Sequence, residues 1–95
     1  MEDVKPDFEL TVKVDRKSDE TVTIGLRELD EPTYIAVSKL MDAGKVMDAV
    51  RMMIINLRVS GVPAETITKN FQATRAALKP LLELIEPLDG SLKKN

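Results

Sequence analysis

The sequence predicts an α+β domain in which an N-terminal two-stranded antiparallel β-hairpin packs on a bundle of three main α-helices. Apolar residues alternate with polar ones over the predicted hairpin, residues 8–26, and recur at helical spacing over the predicted helical region, residues 31–89. A chain of 95 residues has room for one hydrophobic core. We therefore expect a single domain over residues 1–95, with residues 90–95 as a flexible tail.

Two strands are predicted in the first third of the chain. Every second residue is apolar in "FELTVKV" (8–14) and in "TVTIGL" (21–26), the pattern of a strand with one buried face. The polar stretch "DRKSDE" between them predicts the connecting turn. Because an isolated hairpin is only marginally stable in water, its apolar face is expected to pack on the helices.

Two helices are predicted next. The first begins near Asp30 or Glu31, which are suited to a helix N-terminus, and ends at Gly44. The second runs from about Lys45 to Ser60. Gly61 follows it and suits the left-handed conformation that often ends a helix.

The last helix is predicted from Asn70, a suitable N-cap residue, towards the end of the helical region. Before it, "PAETITK" (63–69) is expected to add one or two helical turns. Pro80 interrupts the last helix, but the apolar residues keep the same helical phase on both sides of it. The sequence therefore predicts one kinked helix in place of two separate ones.

The second helix is apolar on two sides. One side carries the stripe expected of a helix that packs on a core. The other carries a second apolar strip, Met52, Ile55 and Val59, edged by Arg51 and Arg58. Two interpretations stand: neighbouring elements cover both sides, or the second strip contacts another subunit or a client protein. Burying each such side chain stabilises by about 1.5–3 kcal/mol, so three of them are enough to anchor an interface.

The composition argues against an enzyme. The chain has no histidine and no cysteine, which removes the commonest general base, the thiol nucleophile and the commonest transition-metal ligands. "DRKSDE" lacks the ligand spacing and central glycine of a calcium loop. We expect no catalytic residue, no cofactor and no metal site. The remaining enzymatic alternative is a reaction that uses carboxylates such as Asp42 and Asp48.

Charge is distributed unevenly along the chain. Residues 1–31 carry ten acidic and five basic side chains, a net charge of −5, whereas residues 32–95 carry six acidic and nine basic ones, a net charge of +3. This polarity favours contact between the halves, within one chain or between copies, unless the two surfaces are solvated independently. Scattered basic residues without aromatic partners make nucleic acid an unexpected ligand. The sequence shows no signal peptide and no membrane span, so we expect a cytoplasmic protein.

The order of these elements resembles the small tail assembly chaperones of long-tailed bacteriophages and prophages. The resemblance covers about residues 8 to 90 and rests on "RELDEPTY" (27–34) opening a helix, on "VMDAVRMMIINLRVSG" (46–61), and on the proline-marked turn and amphipathic helix that follow. It implies a non-enzymatic protein of the bacterial host cytoplasm that coats the helical tape-measure protein until tail-tube subunits polymerise around it.

The sequence thus leads to one main hypothesis and one alternative. The main hypothesis is a homo-oligomeric assembly chaperone whose client is a tape-measure or tail-tube protein. Its contact strip is Met52, Ile55 and Val59, with Arg51 and Arg58 at the rim. The alternative is a small homo-oligomeric structural or adaptor protein of another pathway.

Overall fold

A three-stranded antiparallel sheet and four helices make up the α+β fold in the computed structural model, which describes residues 5–93. The strands are β1 (Phe8–Lys13), β2 (Thr21–Leu26) and β3 (Arg58–Gly61), in the order β1-β2-β3. The helices are α1 (Glu31–Asp42), α2 (Val46–Leu57), α3 (Glu65–Thr68) and α4 (Phe71–Ile85). The predicted fold class, a hairpin with three main helices, is confirmed. Residues 94 and 95 of the predicted tail lie outside the described part of the chain.

The hairpin has the predicted strands and the predicted buried face. β1 and β2 pair in regular register from Phe8 opposite Leu26 to Lys13 opposite Thr21. Alternate residues of the two strands enter the core, and the most deeply buried are Leu10, Val12, Ile24 and Leu26. The other face of β1 remains exposed, as the period of two requires.

The third strand corrects the sequence prediction. The second helix was expected to continue to Ser60, but α2 ends at Leu57 and residues 58–61 form β3, which pairs antiparallel with β2. Without β3, the second edge of β2 would leave backbone groups without partners. Pairing with β2 therefore overrides the helical pattern, which was weak over the Val-Ser-Gly sequence because these residues have low helix propensity.

The first turn of α1 is fixed by a capping carboxylate. Asp30 is the N-cap residue, and its carboxylate accepts a hydrogen bond of 2.8 Å from the backbone N–H of Thr33. The guanidinium of Arg27 donates to the same carboxylate, and the backbone N–H of Arg27 donates to Leu57 O at 2.8 Å. These contacts connect the end of β2, the start of α1 and the end of α2.

Two contacts lower the pKa of the Asp30 carboxyl from its ordinary 3.8 to about 2: the hydrogen bond from the Thr33 backbone first, and the Arg27 guanidinium next. Because the folded-state pKa is below the unfolded one, its stabilising contribution is present above pH 3.8 and is lost as the pH falls through about 2. NMR titration of Asp30 measures this directly. The variant Arg27→Ala should raise the pKa, and a wild-type value near 3.8 would contradict the capping geometry.

The last helix is a single helix with Pro80 inside it, as predicted in preference to two separate helices. Asn70 is its N-cap: the side-chain oxygen accepts from Ala73 N at 3.0 Å, and the side-chain amide donates to Val14 O at 2.9 Å, which ties the helix to the end of β1. Pro80 leaves the carbonyl of Ala76 without its helical partner, but both residues are exposed, so water can bond to it. The helix ends at Ile85, and residues 86–93 form no helix or strand.

Candidate functional site: the α1–α2 groove

One face of α2 forms the centre of the core. Its buried side chains are Ala49, Val50, Met53, Ile54 and Leu57, which recur at helical spacing. They pack among buried residues of the sheet and of α4, so this face is fully covered within the chain. The core stripe predicted for the second helix is therefore confirmed.

The opposite face of α2 is open. Ile55 is 58% exposed although it lies in the last turn of α2, a helix rich in apolar residues. Met52, one turn earlier, is half-buried and packs against the edge of the core, as does Leu40 of α1. The shallow depression of about 380 Å³ between these side chains is the α1–α2 groove, lined by Leu40, Asp48, Arg51, Met52, Ile55 and Asn56.

Two of the five predicted contact residues do not line this groove. Val59 lies in β3, where the pairing with β2 shifts register so that Leu26 faces Arg58 and Gly25 faces Ser60. Val59 is the extra residue of this irregularity, and it is not on the helical strip that the sequence placed it on. The reason is the early end of α2, after which side chains follow the strand period.

Arg58 is the first residue of β3, and its side chain bonds to the backbone where the chain leaves this strand. Its Nε donates to Val62 O at 2.6 Å, and its terminal nitrogen donates to Gly61 O at 2.7 Å. These bonds hold the chain that leaves β3 and satisfy two carbonyl groups there. Arg58 is therefore not a rim residue of the α1–α2 groove, which corrects the sequence prediction.

Arg51 does lie at the rim, where it also ties two helices together. Its Nε donates to Thr68 O of α3 at 3.1 Å, and its terminal nitrogen lies 3.3 Å from a carboxylate oxygen of Asp48. The ion pair is exposed and contributes little to stability by itself. The hydrogen bond to Thr68 fixes the direction of the guanidinium, so the groove has a preorganised polar edge on this side.

Leu40 lines this surface although the sequence did not predict it there. Leu40 belongs to the apolar stripe of α1, a pattern that by itself indicates core packing. The signal available in the sequence is the short connection between the helices, residues 43–45, because a short loop places consecutive helices side by side. It indicates that α1 and α2 are neighbours, but it does not fix which side chains meet.

The chemistry of the groove suits contact with apolar side chains. Its polar groups are one carboxylate, one guanidinium and one amide, and its apolar groups belong to Leu, Met and Ile side chains. Over residues 5–93, no cluster of three or more His, Cys, Asp or Glu side chains is positioned to hold a metal ion. Across the same residues, no helix is long and apolar enough to cross a membrane.

No protein-family model, curated protein or solved structure matches this chain. The function is therefore proposed from the geometry of the α1–α2 groove, together with the resemblance to tail assembly chaperones described for the sequence.

Proposed function

We propose that this chain is a non-enzymatic tail assembly chaperone of a phage or prophage, which acts in the host cytoplasm and binds apolar helical segments of the tape-measure protein through the α1–α2 groove. The main supporting observation is Ile55, which is 58% exposed on a helix whose other face is fully buried. A helix with a solvated outer face has polar residues at such a position.

The groove has the features of a surface that receives an amphipathic helix. Such a helix presents apolar side chains at intervals of three and four residues, and these would contact Leu40, Met52 and Ile55. Burying side chains of this size contributes about 1.5–3 kcal/mol each before the cost of association. A single contact of this kind is weak to moderate in affinity.

Modest affinity at each contact is compatible with coating a long client. A tape-measure protein offers many similar apolar stripes along one chain, so neighbouring bound copies raise each other's effective concentration. The flexible thioether of Met52 adapts to side chains of different shapes, which suits a repeated but imperfect pattern. The rim carries both an acid and a base, so it does not select clients by net charge.

Aspartate substitutions in the groove test this proposal. The double variant Met52→Asp with Ile55→Asp is expected to abolish client binding while the helical circular dichroism signal is retained. The probe is a phage tape-measure protein, taken from the neighbouring genes if they encode one, co-expressed with the chain and measured as soluble complex. Because Met52 also packs against the core, Ile55→Asp alone is the safer variant for folding.

The matched control is Ile35→Asp, the same substitution at a 44% exposed position of α1 that does not line the groove. It should leave the amount of soluble complex unchanged. If Ile55→Asp folds and still binds the tape-measure protein like the wild type, the groove is not the client site. If tail-tube and tape-measure genes are missing from the gene neighbourhood, the adaptor alternative replaces the chaperone.

A further inference from the structure

The two edges of the sheet differ in how they are protected. β3 is four residues long, its pairing with β2 shifts register, and the Arg58 guanidinium bonds to the carbonyls of Gly61 and Val62 where the strand ends. Short length and irregular pairing are features that protect a sheet edge from further pairing. β1, the other edge strand, is six residues long and regular, and within residues 5–93 its backbone bonds only to β2. Its outer edge is therefore open to another strand.

Two backbone hydrogen bonds show which residues of β2 point towards β1. The carbonyl of Leu26 accepts from the N–H of Asp7 at 2.9 Å, on the side of β1. The N–H of Arg27, the next residue, donates to Leu57 O at 2.8 Å, on the side of β3. Because successive residues of a strand direct their backbone groups to opposite sides, the even-numbered residues of β2 bond to β1.

The register of the hairpin then fixes the outward-pointing residues of β1. Leu10 and Val12 lie opposite even-numbered residues of β2 and bond to them. The N–H and C=O groups of the alternate residues Glu9, Thr11 and Lys13 therefore point to the open edge. The side chains of the same three residues lie on the exposed face of the sheet.

These three residues are self-complementary in charge. If Thr11 lies opposite Thr11 of a second, antiparallel copy, then Glu9 lies opposite Lys13, and the two-fold axis repeats this pair. Opposite charges that face each other across strands stabilise a sheet, and like charges destabilise it. A shift of the second strand by two residues in either direction separates Glu9 from Lys13. The charges therefore favour the register centred on Thr11.

We propose that β1 pairs antiparallel with β1 of a second copy across a two-fold axis at Thr11, which joins two three-stranded sheets into one sheet of six strands. In this register the outward N–H and C=O groups of the two strands face each other, so every such residue pair exchanges two hydrogen bonds. On the core face, Leu10 lies beside Val12 of the second copy, which continues the apolar layer. Because both copies use the same surface, the assembly is closed at the dimer.

The surfaces beside the two ends of β1 have opposite charge, which supports the same pairing. Glu9 lines a groove of about 450 Å³ between the hairpin and α4, and the described residues that line it include no lysine or arginine. The other carboxylates of this groove are Glu28, Glu83 and Glu86. Lys13 lines a depression of about 180 Å³ in which Arg16 adds a second positive charge and Asp15 a negative one. The two-fold axis places the acidic end of each copy against the basic end of the other.

Contacts within one chain leave these charges available for the second copy. The ion pairs within residues 5–93 do not include Glu9. Lys13 lies 3.9 Å from Asp19, but both side chains are exposed, so this contact is weak. The dimer uses neither α2 nor the α1–α2 groove, so it does not depend on the chaperone function.

Light scattering coupled to size-exclusion chromatography, over a range of concentrations of the full chain, tests the proposal. The wild type should rise to twice the mass of the chain and stop there. Thr11→Pro should remove the dimer, because proline has no N–H to donate at the open edge and its ring obstructs the second strand. The fold should be retained, since the N–H of Thr11 does not bond to β2. Circular dichroism and thermal unfolding of the variant at low concentration check this.

A charge-reversal series tests the register with exposed side chains alone. Glu9→Lys and Lys13→Glu should each weaken dimerisation by about tenfold or more, because each places like charges opposite each other twice. The two substitutions in one chain should restore the dimer, and a mixture of the two single variants should form a mixed dimer. The matched control, Asp42→Lys with Lys45→Glu, reverses two exposed charges that line neither surface beside β1 and should dimerise like the wild type.

Three results would overturn the proposal. They are a wild type that remains monomeric up to about 1 mM, a dimer that survives a folded Thr11→Pro, and a double reversal as weak as the single ones. If Thr11→Pro does not fold, the charge series decides the question. Ile55→Asp should not alter the dimer, so failure of the client proposal can be recognised separately.

Discussion

Replacing Ile54 with alanine is expected to lower the free energy of unfolding by about 2–5 kcal/mol, whereas replacing its neighbour Ile55 should change it by about 0.5 kcal/mol or less. Ile54 is completely buried on the core face of α2, and truncation there removes apolar burial and leaves a cavity. Ile55 has the same chemistry one residue later but points to solvent at 58% exposure. The pair therefore separates core from surface with one kind of substitution in one helix.

Urea denaturation of both variants at low protein concentration measures the difference. Thermal unfolding should show it as well, since each 1 kcal/mol shifts the midpoint by about 4–8 °C in a domain of this size. Equal losses at both positions would mean that Ile55 is covered and that the α1–α2 groove is closed. A loss at Ile55 that appears only at high protein concentration would instead show that another copy covers it.

The features that the sequence predicted correctly are the ones that local interactions determine. Asn70 caps α4 with an oxygen that reaches the backbone only three residues later, and Asp30 caps α1 in the same way. The alternation over β1 and β2 determines which side chains are buried, because successive residues of a strand point to opposite faces. Helical phase likewise placed Met52 and Ile55 on one face of α2, away from the core stripe.

The errors arise where distant parts of the chain meet. In residues 58–61 only Val59 continues the helical spacing of the apolar residues, and the strand conformation of this segment is set by β2, more than thirty residues earlier. Because these residues pair with β2, Val59 does not lie on the predicted contact strip. For the same reason the side chain of Arg58 donates hydrogen bonds to two backbone carbonyls. Helix and strand propensities describe single residues and do not include this pairing, because its cause is the free edge of β2 elsewhere in the fold.

The two grooves illustrate the same limit for function. Six residues line the α1–α2 groove, and the helical phase of α2 alone predicted three of them, Arg51, Met52 and Ile55. A second groove, between the hairpin and the C-terminal half of α4, is lined by Glu9 and Glu83, which are distant in sequence and carry no shared motif. The charge imbalance along the sequence does not predict this acidic rim, because two of its four carboxylates, Glu83 and Glu86, belong to the part of the chain with a net positive charge.

Gly61→Ala is expected to lower the free energy of unfolding by about 2–5 kcal/mol, from backbone strain and steric overlap together. The residue has φ = +88°, which alanine adopts only at a cost. An added Cβ would also collide with the carbonyl oxygen of Thr23 and lie 2.8 Å from the Cα of Ile24. Both atoms belong to the β2 backbone, so relief requires β3 to move away from the sheet.

Gly44→Ala is the matched control for this prediction, because Gly44 has φ = +78° but an added Cβ would meet no atom within 4 Å. Gly44→Ala should lower the free energy of unfolding by about 1–2 kcal/mol, the cost of the left-handed conformation for alanine. The difference between the two variants therefore measures the collision with β2. Amide hydrogen exchange would locate the damage in Gly61→Ala, with protection lost first along β2 and β3. If both variants lose the same stability, β3 is held too loosely for a methyl group to matter. In that case β3 would not fix the end of α2 at Leu57, and an extension of the helix would place Val59 on the same face as Ile55.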